Sequence, residues 1–264
     1  MRKGIVVTAK PGVERPRGTG RGAGDDRLRA GLLSGMVAKR GPRRRARPAM
    51  IRLDDASEQL WDAELGDVAK ALLNSAVLCF AAKEFHATTT RDITAKIGIS
   101  PGALYVHFES KEEVLYEILR MGHTRVLEDL RRLPAGEDAR ADLGRLVAAF
   151  VSWHARHHTV GRICQYELGP LGPEHYDKIL ALRGEINTIF RDAVHRHIED
   201  ARISDVPVSD GEVNKIARAI LSLGVDLVRW YRLDGPDTPS ELGEFYARLA
   251  IKMTEVAQAA TPTR

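Results

Sequence analysis

The side chains with the clearest chemistry lie close together, in the stretch ISPGALYVHFESKEEVL at positions 99–115. Small residues come first and would let the backbone approach another molecule closely. The hydrogen-bond donors Tyr105 and His107 follow. The cation Lys111 stands where the next helix is predicted to begin, beside backbone N–H groups that already favour anions. Donors of this kind suit contacts with the phosphate oxygens of a nucleic acid. The alternative is that Tyr105 and His107 are ordinary surface residues of a helical hairpin.

Two short helices joined by a tight turn would hold these residues in place. Thr89 and Asp92 form a variant of the capping box, which predicts the start of the first short helix, and Gly98 suits its left-handed end. Ser100 is expected to cap the second helix, and Pro101 fits its first position, where the missing N–H costs nothing. This is the helix-turn-helix arrangement, in which the second helix enters the major groove of DNA.

The hydrophobic periodicity of the remaining sequence predicts an all-α fold of about nine helices, with no internal repeat. Apolar residues recur at helical spacing from Leu65 to Phe80, and a capping box of Ser110 and Glu113 begins a long fourth helix that is expected to end near Leu133. Further helices are predicted at roughly 138–157, 159–168, 173–201, 210–232 and 239–258.

The net charge of +4 conceals a division of the chain into two parts. Residues 1–52 hold 15 Lys and Arg against 3 Asp and Glu, whereas the remainder has a net charge of −8. Because the first part is rich in Gly and Pro and lacks hydrophobic periodicity, residues 1–60 are interpreted as a basic, disordered arm that could lie along DNA phosphates. A functionless tail, or a start codon assigned too early with the protein beginning at Met50, would explain the same composition.

The stretch TTTRDITAKIGISPGALYVHFESKEEVL resembles the TetR family of bacterial transcriptional regulators, specifically over about 50 residues, 67–116. The matching positions are Thr89, Ile93, Gly98, Ser100, Gly102, Leu104, Tyr105, His107, Phe108, Lys111 and Glu112. Three positions depart from the family pattern, since Thr94 and Ile97 replace the usual Ala and Glu84 stands where a Gly commonly ends the first helix. Together with the residue chemistry, the resemblance implies DNA contacts at Thr89, Thr90, Ser100, Pro101, Gly102, Tyr105, His107 and Lys111.

The family implies a helix-turn-helix domain over 61–120, a helical ligand-binding and dimerisation domain over 121–259, and as partners an operator duplex, a small-molecule inducer and a second copy of the chain. In relatives the last two long helices form the dimer interface, and two apolar stripes fit that role or a place in the core. The stripe on the eighth helix contains Val213, Ile216, Ala217, Ile220, Gly224, Leu227, Val228 and Tyr231, and that on the ninth contains Leu242, Phe245, Leu249, Met253 and Val256.

The candidate ligand-binding residues are large side chains of the later helices and one cation: Trp153, Tyr166, Phe190, Arg229 and Trp230. Segment 227–236, LVRWYRLDGP, is similar to a segment of TetR-type regulators that respond to acyl-CoA thioesters, and Arg229 would then bind an anionic group. The alternative is that the aromatic residues are core. The trio His154, His157 and His158 shares a helical face, but no carboxylate or Cys completes a metal site nearby in sequence. We therefore expect no metal and no cofactor.

Several classes of protein are disfavoured by what the sequence lacks. Cys79 and Cys164 are too few for a disulfide framework and suit a reducing cytoplasm. No apolar stretch is long enough to span a membrane, and no hydrolase, zinc-protease or phosphate-loop motif occurs. We therefore expect a cytoplasmic regulator rather than an enzyme. The competing hypothesis is a helical small-molecule-binding or catalytic protein in which the helix-turn-helix is only structural, and salt-sensitive binding of duplex DNA would separate the two.

Overall fold

The computed structural model describes residues 49, 51–201 and 208–259, and these ranges contain α- and 3-10 helices but no β-strand. The predicted all-α fold is therefore confirmed. In chain order the elements are a 3-10 helix at Ala56–Leu60, α1 at Asp67–Ala87, α2 at Thr90–Lys96, α3 at Pro101–Leu104, α4 at Lys111–Arg131, α5 at Ala139–Arg156, α6 at His158–Tyr166, α7 at Pro173–Asp200, α8 at Asp210–Asp226, a 3-10 helix at Leu227–Arg229, α9 at Pro239–Thr254 and α10 at Val256–Ala259.

The local signals around α2 and α3 act largely as predicted. The Thr89 hydroxyl accepts a hydrogen bond from the Asp92 amide at 3.2 Å, and the Asp92 carboxylate accepts one from the Thr89 amide at 2.7 Å, which completes the capping box. Gly98 has a φ of 71°, so the turn after α2 uses the left-handed conformation that glycine adopts without steric cost. Ser100 occupies the N-cap position of α3, although its side chain forms no capping hydrogen bond, and Pro101 is the first helical residue.

Segment 51–61, which the sequence assigned mostly to the arm, is part of the fold. Trp61 is buried, and its indole N–H donates to the Asn74 side-chain oxygen at 2.6 Å. The Asn74 amide in turn donates to the Ile51 carbonyl at 2.8 Å. The arm predicted at residues 1–60 therefore extends too far at its C-terminal end. The sequence did not reveal the folded part, because one buried Trp and a short 3-10 helix produce no hydrophobic periodicity. Residues 1–48 lie outside the described part of the chain.

Helix α4 connects the three N-terminal α-helices to the rest of the protein. Its first turn follows directly after the buried Phe108, and it contacts α1 on one side and α5, α6 and α7 further along. Leu115, Ile118 and Leu119 are completely buried along it, and burial of each such side chain is worth roughly 1.5–3 kcal/mol. The domain boundary expected at residues 120/121 thus lies inside a continuous helix.

Helix α5 is the centre of the C-terminal part and packs against α7, α8 and α9. Gly224 lets α8 approach it closely, since a Cβ there would lie 2.9 Å from a ring carbon of Phe150. The apolar stripe predicted on the eighth helix is entirely buried within this subunit, so the expectation that it faces a second copy is corrected. Hydrophobic spacing shows that a face is covered, and it cannot show which neighbour covers it. On α9, Leu242 is buried but Phe245 and Leu249 are exposed.

Candidate DNA-binding surface and ligand cavity

Five of the predicted DNA contacts form one exposed surface around α3. Ser100, Pro101, Gly102, Tyr105 and His107 are all exposed, and Tyr105 exposes 56% of its surface. The buried side chains on the opposite side of the segment, Leu104 and Phe108, fix its orientation against the core. A Cβ at Gly102 would meet no atom within 4 Å, so the fold itself does not require a glycine there. The open space suits the close approach of a DNA backbone to α3.

The two predicted threonine contacts stand at the beginning of α2, where one of them already has an internal partner. The Thr89 hydroxyl lies 2.6 Å from an Asp92 carboxylate oxygen, and Lys83 forms an ion pair with the same carboxylate at 2.7 Å. The hydrogen bond from Lys83 is the main reason that the pKa of Asp92 is lowered. Thr90 is half-buried. Thr89 therefore stabilises the start of α2, and a DNA contact by either residue stays a prediction.

Lys111 has an internal role that the sequence did not indicate. Its ammonium donates to the carbonyls of Phe85 at 2.8 Å and Thr88 at 2.6 Å, and it lies 3.9 Å from the centre of the Phe85 ring. These carbonyls stand at the C-terminal end of α1, where a helix leaves carbonyl groups without intrahelical partners. Burial lowers the pKa of Lys111. The cation thus fastens α1 to α4 with two of its three N–H donors, and a DNA contact by Lys111 stays a prediction.

Three exposed side chains beside this surface were missed at the level of sequence. Arg91 and Lys96 are exposed on α2, and Val106, between Tyr105 and His107, exposes 78% of its surface. The sequence held a signal for the two cations, because both lie away from the helix face that the buried Ile93, Thr94 and Ile97 define. Exposed cations next to the reading helix suit phosphate contacts.

A cavity of about 210 Å³ in the C-terminal part is lined by residues of α4, α5, α6, α7 and α8. Apolar side chains form much of its lining: Val126, Phe150, Trp153, Ile186, Leu221 and Val225. The titratable groups are fewer, and they include His123, His154 and Arg183. Burial lowers the pKa of both histidines to about 4, so both are neutral at pH 7. A mostly apolar cavity with a few polar groups is typical of a small-molecule site.

Arg183 and His123 form a hydrogen-bonded pair at the edge of this cavity. The His123 Nδ1 donates to the Leu119 carbonyl at 2.7 Å, which leaves its Nε2 as an acceptor for the Arg183 Nε at 3.1 Å. A second guanidinium nitrogen of Arg183 donates to the Cys164 carbonyl. Burial lowers the pKa of Arg183, which stays far above neutrality for a guanidinium.

The structure does not bring the five predicted ligand-binding residues together. Trp153 lines the cavity, whereas Phe190 is fully buried behind Phe150, with ring centres 5.1 Å apart. Tyr166 and Arg229 line a separate surface depression of about 410 Å³. Trp230 lines neither and exposes 47% of its surface. Aromatic composition alone cannot distinguish a cavity wall from the core behind it.

The histidine trio considered from the sequence does not converge on one point. The Nδ1 of His154 hydrogen-bonds to the Phe150 carbonyl at 2.8 Å, and the His157 ring lies 4.8 Å from that of Trp153. His158 instead approaches the Asp55 carboxylate at 3.2 Å. In the described ranges, no group of three His, Cys, Asp or Glu side chains is arranged to hold a metal ion.

A tight turn between α2 and α3, with an exposed donor-bearing surface on α3, defines a DNA-binding protein of the helix-turn-helix class. Two family models match the chain. One, "Bacterial regulatory proteins, tetR family", matches residues 72–118, and the other, "Tetracyclin repressor-like, C-terminal domain", matches residues 136–254. The chain is also 30% identical over 182 residues to the HTH-type transcriptional repressor KstR2 of Rhodococcus jostii (strain RHA1), which covers 68% of this chain and 87% of that relative. The chain therefore belongs to the TetR family and is a transcriptional repressor that binds operator DNA.

Solved structures agree with this assignment. A bacterial regulatory protein in the tetR family from Rhodococcus RHA1 is 33% identical, with a TM-score of 0.64 over 72% of this chain and 98% of that one. The ketosteroid transcriptional regulator KstR2 of Mycobacterium tuberculosis is 28% identical, with a TM-score of 0.63 over 72% of this chain and 95% of that one. These relatives are regulators rather than enzymes, so the competing catalytic hypothesis is not favoured. Among the helices that the structure describes, none is long and apolar enough to cross a membrane.

Proposed function

We propose that the chain represses transcription as a dimer bound to a palindromic operator, and that a small apolar ligand in the cavity releases it. The observation that supports this proposal most is the course of α4. Lys111, at its start, adjoins the α3 segment, and Gly122, His123 and Val126 line the cavity. At 1.5 Å per residue, about 18 Å of continuous helix separates Lys111 from His123. A ligand that displaces the middle of α4 therefore moves the reading helix.

A second connection links the cavity to the start of α4. The Glu112 carboxylate accepts a hydrogen bond from the Gly172 amide at 2.9 Å and contacts the His175 Nδ1 at 3.1 Å. The His175 ring also stacks on Tyr116, with ring centres 3.7 Å apart. Gly172 and His175 begin α7, which supplies Arg183 to the cavity lining. A shift of α7 on ligand binding would thus act on the same first turn of α4.

The exposed apolar side chains of α8, α9 and α10 support the proposed dimer. Phe245 and Leu249 expose 52% and 37% of their surface, and Val256 and Leu223 are also exposed. Phe245 and Leu249 are four residues apart on α9, so they lie on one face, and Val256 begins the short helix α10 that follows. We expect Leu249→Glu to separate the dimer in sedimentation velocity, because a charge would be buried in the interface. Glu244→Lys, also exposed on α9 but off this stripe, is the control. A Leu249→Glu protein that sediments as the unaltered dimer would contradict the proposal.

A coenzyme A thioester, the inducer class predicted from the sequence, is the second candidate ligand. Arg162 and Arg229 both line the surface depression of about 410 Å³, and paired arginines suit phosphate groups. Arg229 also lies within 3.4 Å of the Asp226 carboxylate, and Glu84 lines the same depression. These two carboxylates weaken the attraction of the depression for anions. A thioester that releases the operator when its free acid does not would favour this candidate.

Release through the cavity can be tested by filling the cavity. Val126→Trp places a large side chain into it, whereas Leu180→Trp adds the same group to an exposed position on α7. Labelled operator is titrated with each protein, and apolar acids and their thioesters are then added while fluorescence anisotropy is recorded. We expect Val126→Trp to bind the operator and to resist release, and Leu180→Trp to be released normally. If Val126→Trp is released from the operator normally, the ligand binds outside this cavity.

Because repression requires access to the chromosome, we propose that the protein acts in the cytoplasm.

A further inference from the structure

Among the residues that line the cavity, Arg183 is the one with a permanent charge. His123 and His154 beside it are neutral at pH 7, because burial lowers the pKa of each to about 4. The guanidinium is partly buried, and its described hydrogen-bond partners are an imidazole nitrogen and a backbone carbonyl. In the described part of the chain, no carboxylate forms an ion pair with it. A buried cation is normally paired with an anion, so the cavity has one uncompensated positive charge.

The donors that Arg183 has left are arranged for a carboxylate. A guanidinium has five N–H donors in a planar fork. Its Nε donates to the His123 Nε2 at 3.1 Å, and one Nη2 hydrogen donates to the Cys164 carbonyl. The remaining three hydrogens are on the two terminal nitrogens, at least one on each, and two parallel hydrogen bonds to a carboxylate need one from each. His123 fixes this orientation, because its own Nδ1 is occupied by the Leu119 carbonyl.

We propose that the cavity binds an apolar monocarboxylic acid, with its carboxylate on the terminal nitrogens of Arg183 and its hydrocarbon body against Val126, Phe150 and Trp153. This assignment rests on the proposed function, in which a cavity ligand releases the operator. A single carboxylate balances the single charge of Arg183, whereas a phosphate would bring excess negative charge into an apolar space. An ammonium group would be repelled. The cavity, about 210 Å³, exceeds an engineered apolar cavity of about 150 Å³ that binds benzene, so it has room for a ligand somewhat larger than benzene.

The test compares three probes that share a hydrocarbon chain and differ in head group: octanoate, octanol and octylamine. Binding to the full-length protein is measured by isothermal titration calorimetry, with the fluorescence of the cavity residue Trp153 as a second signal. We expect octanoate to bind most tightly and octylamine not to bind. Arg183→Met should weaken octanoate by about 10- to 100-fold, since hydrogen bonds to charged groups are lost, and should leave octanol nearly unchanged. Arg191→Met, at a half-buried position of the same helix that does not line the cavity, is the matched control.

Several outcomes would overturn the assignment. These are failure of octanoate to bind the unaltered protein, equal binding of octanol and octanoate, or an Arg183→Met protein that still prefers octanoate. Arg183→Lys keeps the positive charge but lacks the planar fork of donors, so its affinity for octanoate should lie between those of the unaltered protein and Arg183→Met. This variant also tests the assignment if Arg183→Met does not fold. If octanoyl-CoA binds and octanoate does not, the carboxylate assignment is wrong, but the proposal that a ligand releases the protein from its operator still stands. Operator binding that no cavity ligand weakens would reject the proposed function itself.

Discussion

Replacement of Lys111 by Met separates an internal role of this lysine from a role in contacting DNA. The substitution removes two hydrogen bonds, to the Phe85 carbonyl at 2.8 Å and the Thr88 carbonyl at 2.6 Å, and an ammonium 3.9 Å from the Phe85 ring. Hydrogen bonds to charged groups contribute roughly 1.5–3 kcal/mol each. The lower end applies here, because the lysine is half-exposed and the Phe85 carbonyl also accepts from the Thr88 amide at 3.1 Å. Two such bonds at the lower end of this range give an expected loss of about 3 kcal/mol in the free energy of unfolding.

The assay is urea unfolding followed by circular dichroism, together with operator titrations at several salt concentrations. Lys111→Met should unfold at lower urea, and the slope of log affinity against log salt should stay unchanged. Lys96→Met is the matched control, since Lys96 is exposed on α2. It should change stability by less than about 0.5 kcal/mol and lower the salt slope by about 0.9, the value for one lost phosphate contact. A Lys111→Met protein of normal stability with a salt slope reduced by about one would refute this reasoning and restore the phosphate contact predicted from the sequence.

Three further predictions concern backbone strain, pH and the basic arm. Glu84 has φ 62° and ψ 170°, a region nearly restricted to glycine, so Glu84→Gly should raise the free energy of unfolding by about 1 kcal/mol in urea; an unchanged or lower midpoint would show that no strain is present. Burial lowers the pKa of His123 and His154 from 6.5 to about 4. Between these two pH values the unfolded chain therefore binds more protons than the folded one. As the pH drops from 6.5 towards 4, the free energy of unfolding should fall by roughly 1.4 kcal/mol per pH unit for each histidine. His154→Gln should reduce that slope, and a slope equal to that of the unaltered protein would contradict the assignment. A protein that begins at Met50 lacks 14 of the 15 basic residues of 1–52, which favour phosphates in general, so it should lose affinity for operator and random DNA equally. Loss of operator binding alone would mean that the arm reads sequence.

The sequence allowed the DNA-reading elements to be predicted because their signals are local. Capping residues, a left-handed glycine and a helix-initiating proline each act within a few residues, so Thr89, Gly98 and Pro101 lie where they were expected. The departure at Glu84 also has a local consequence, since this residue adopts the positive φ that the glycine usual in the family would accommodate.

The cavity could not be predicted in the same way, because its lining comes from five helices that are distant in sequence. Among the five residues expected to bind ligand, only Trp153 lines the cavity. Arg183 was missed, since a single arginine on a long helix resembles an ordinary surface residue until its neighbours are known. The internal partners of Lys111 were missed for the same reason: its contacts lie 23 and 26 residues away along the chain.

The most direct test of this account compares the full-length protein on a palindromic operator and on an isolated half-site, each at several salt concentrations. The dimer proposal predicts much tighter binding to the palindrome, with half-sites about one helical turn apart, near 34–36 Å, or a multiple of that distance. Affinity for both duplexes should fall with salt, by about 0.9 log units per log unit of salt for each phosphate contacted. Equal affinity for the half-site and the palindrome would contradict the dimer, and binding that does not respond to salt would contradict the DNA-binding surface around α3.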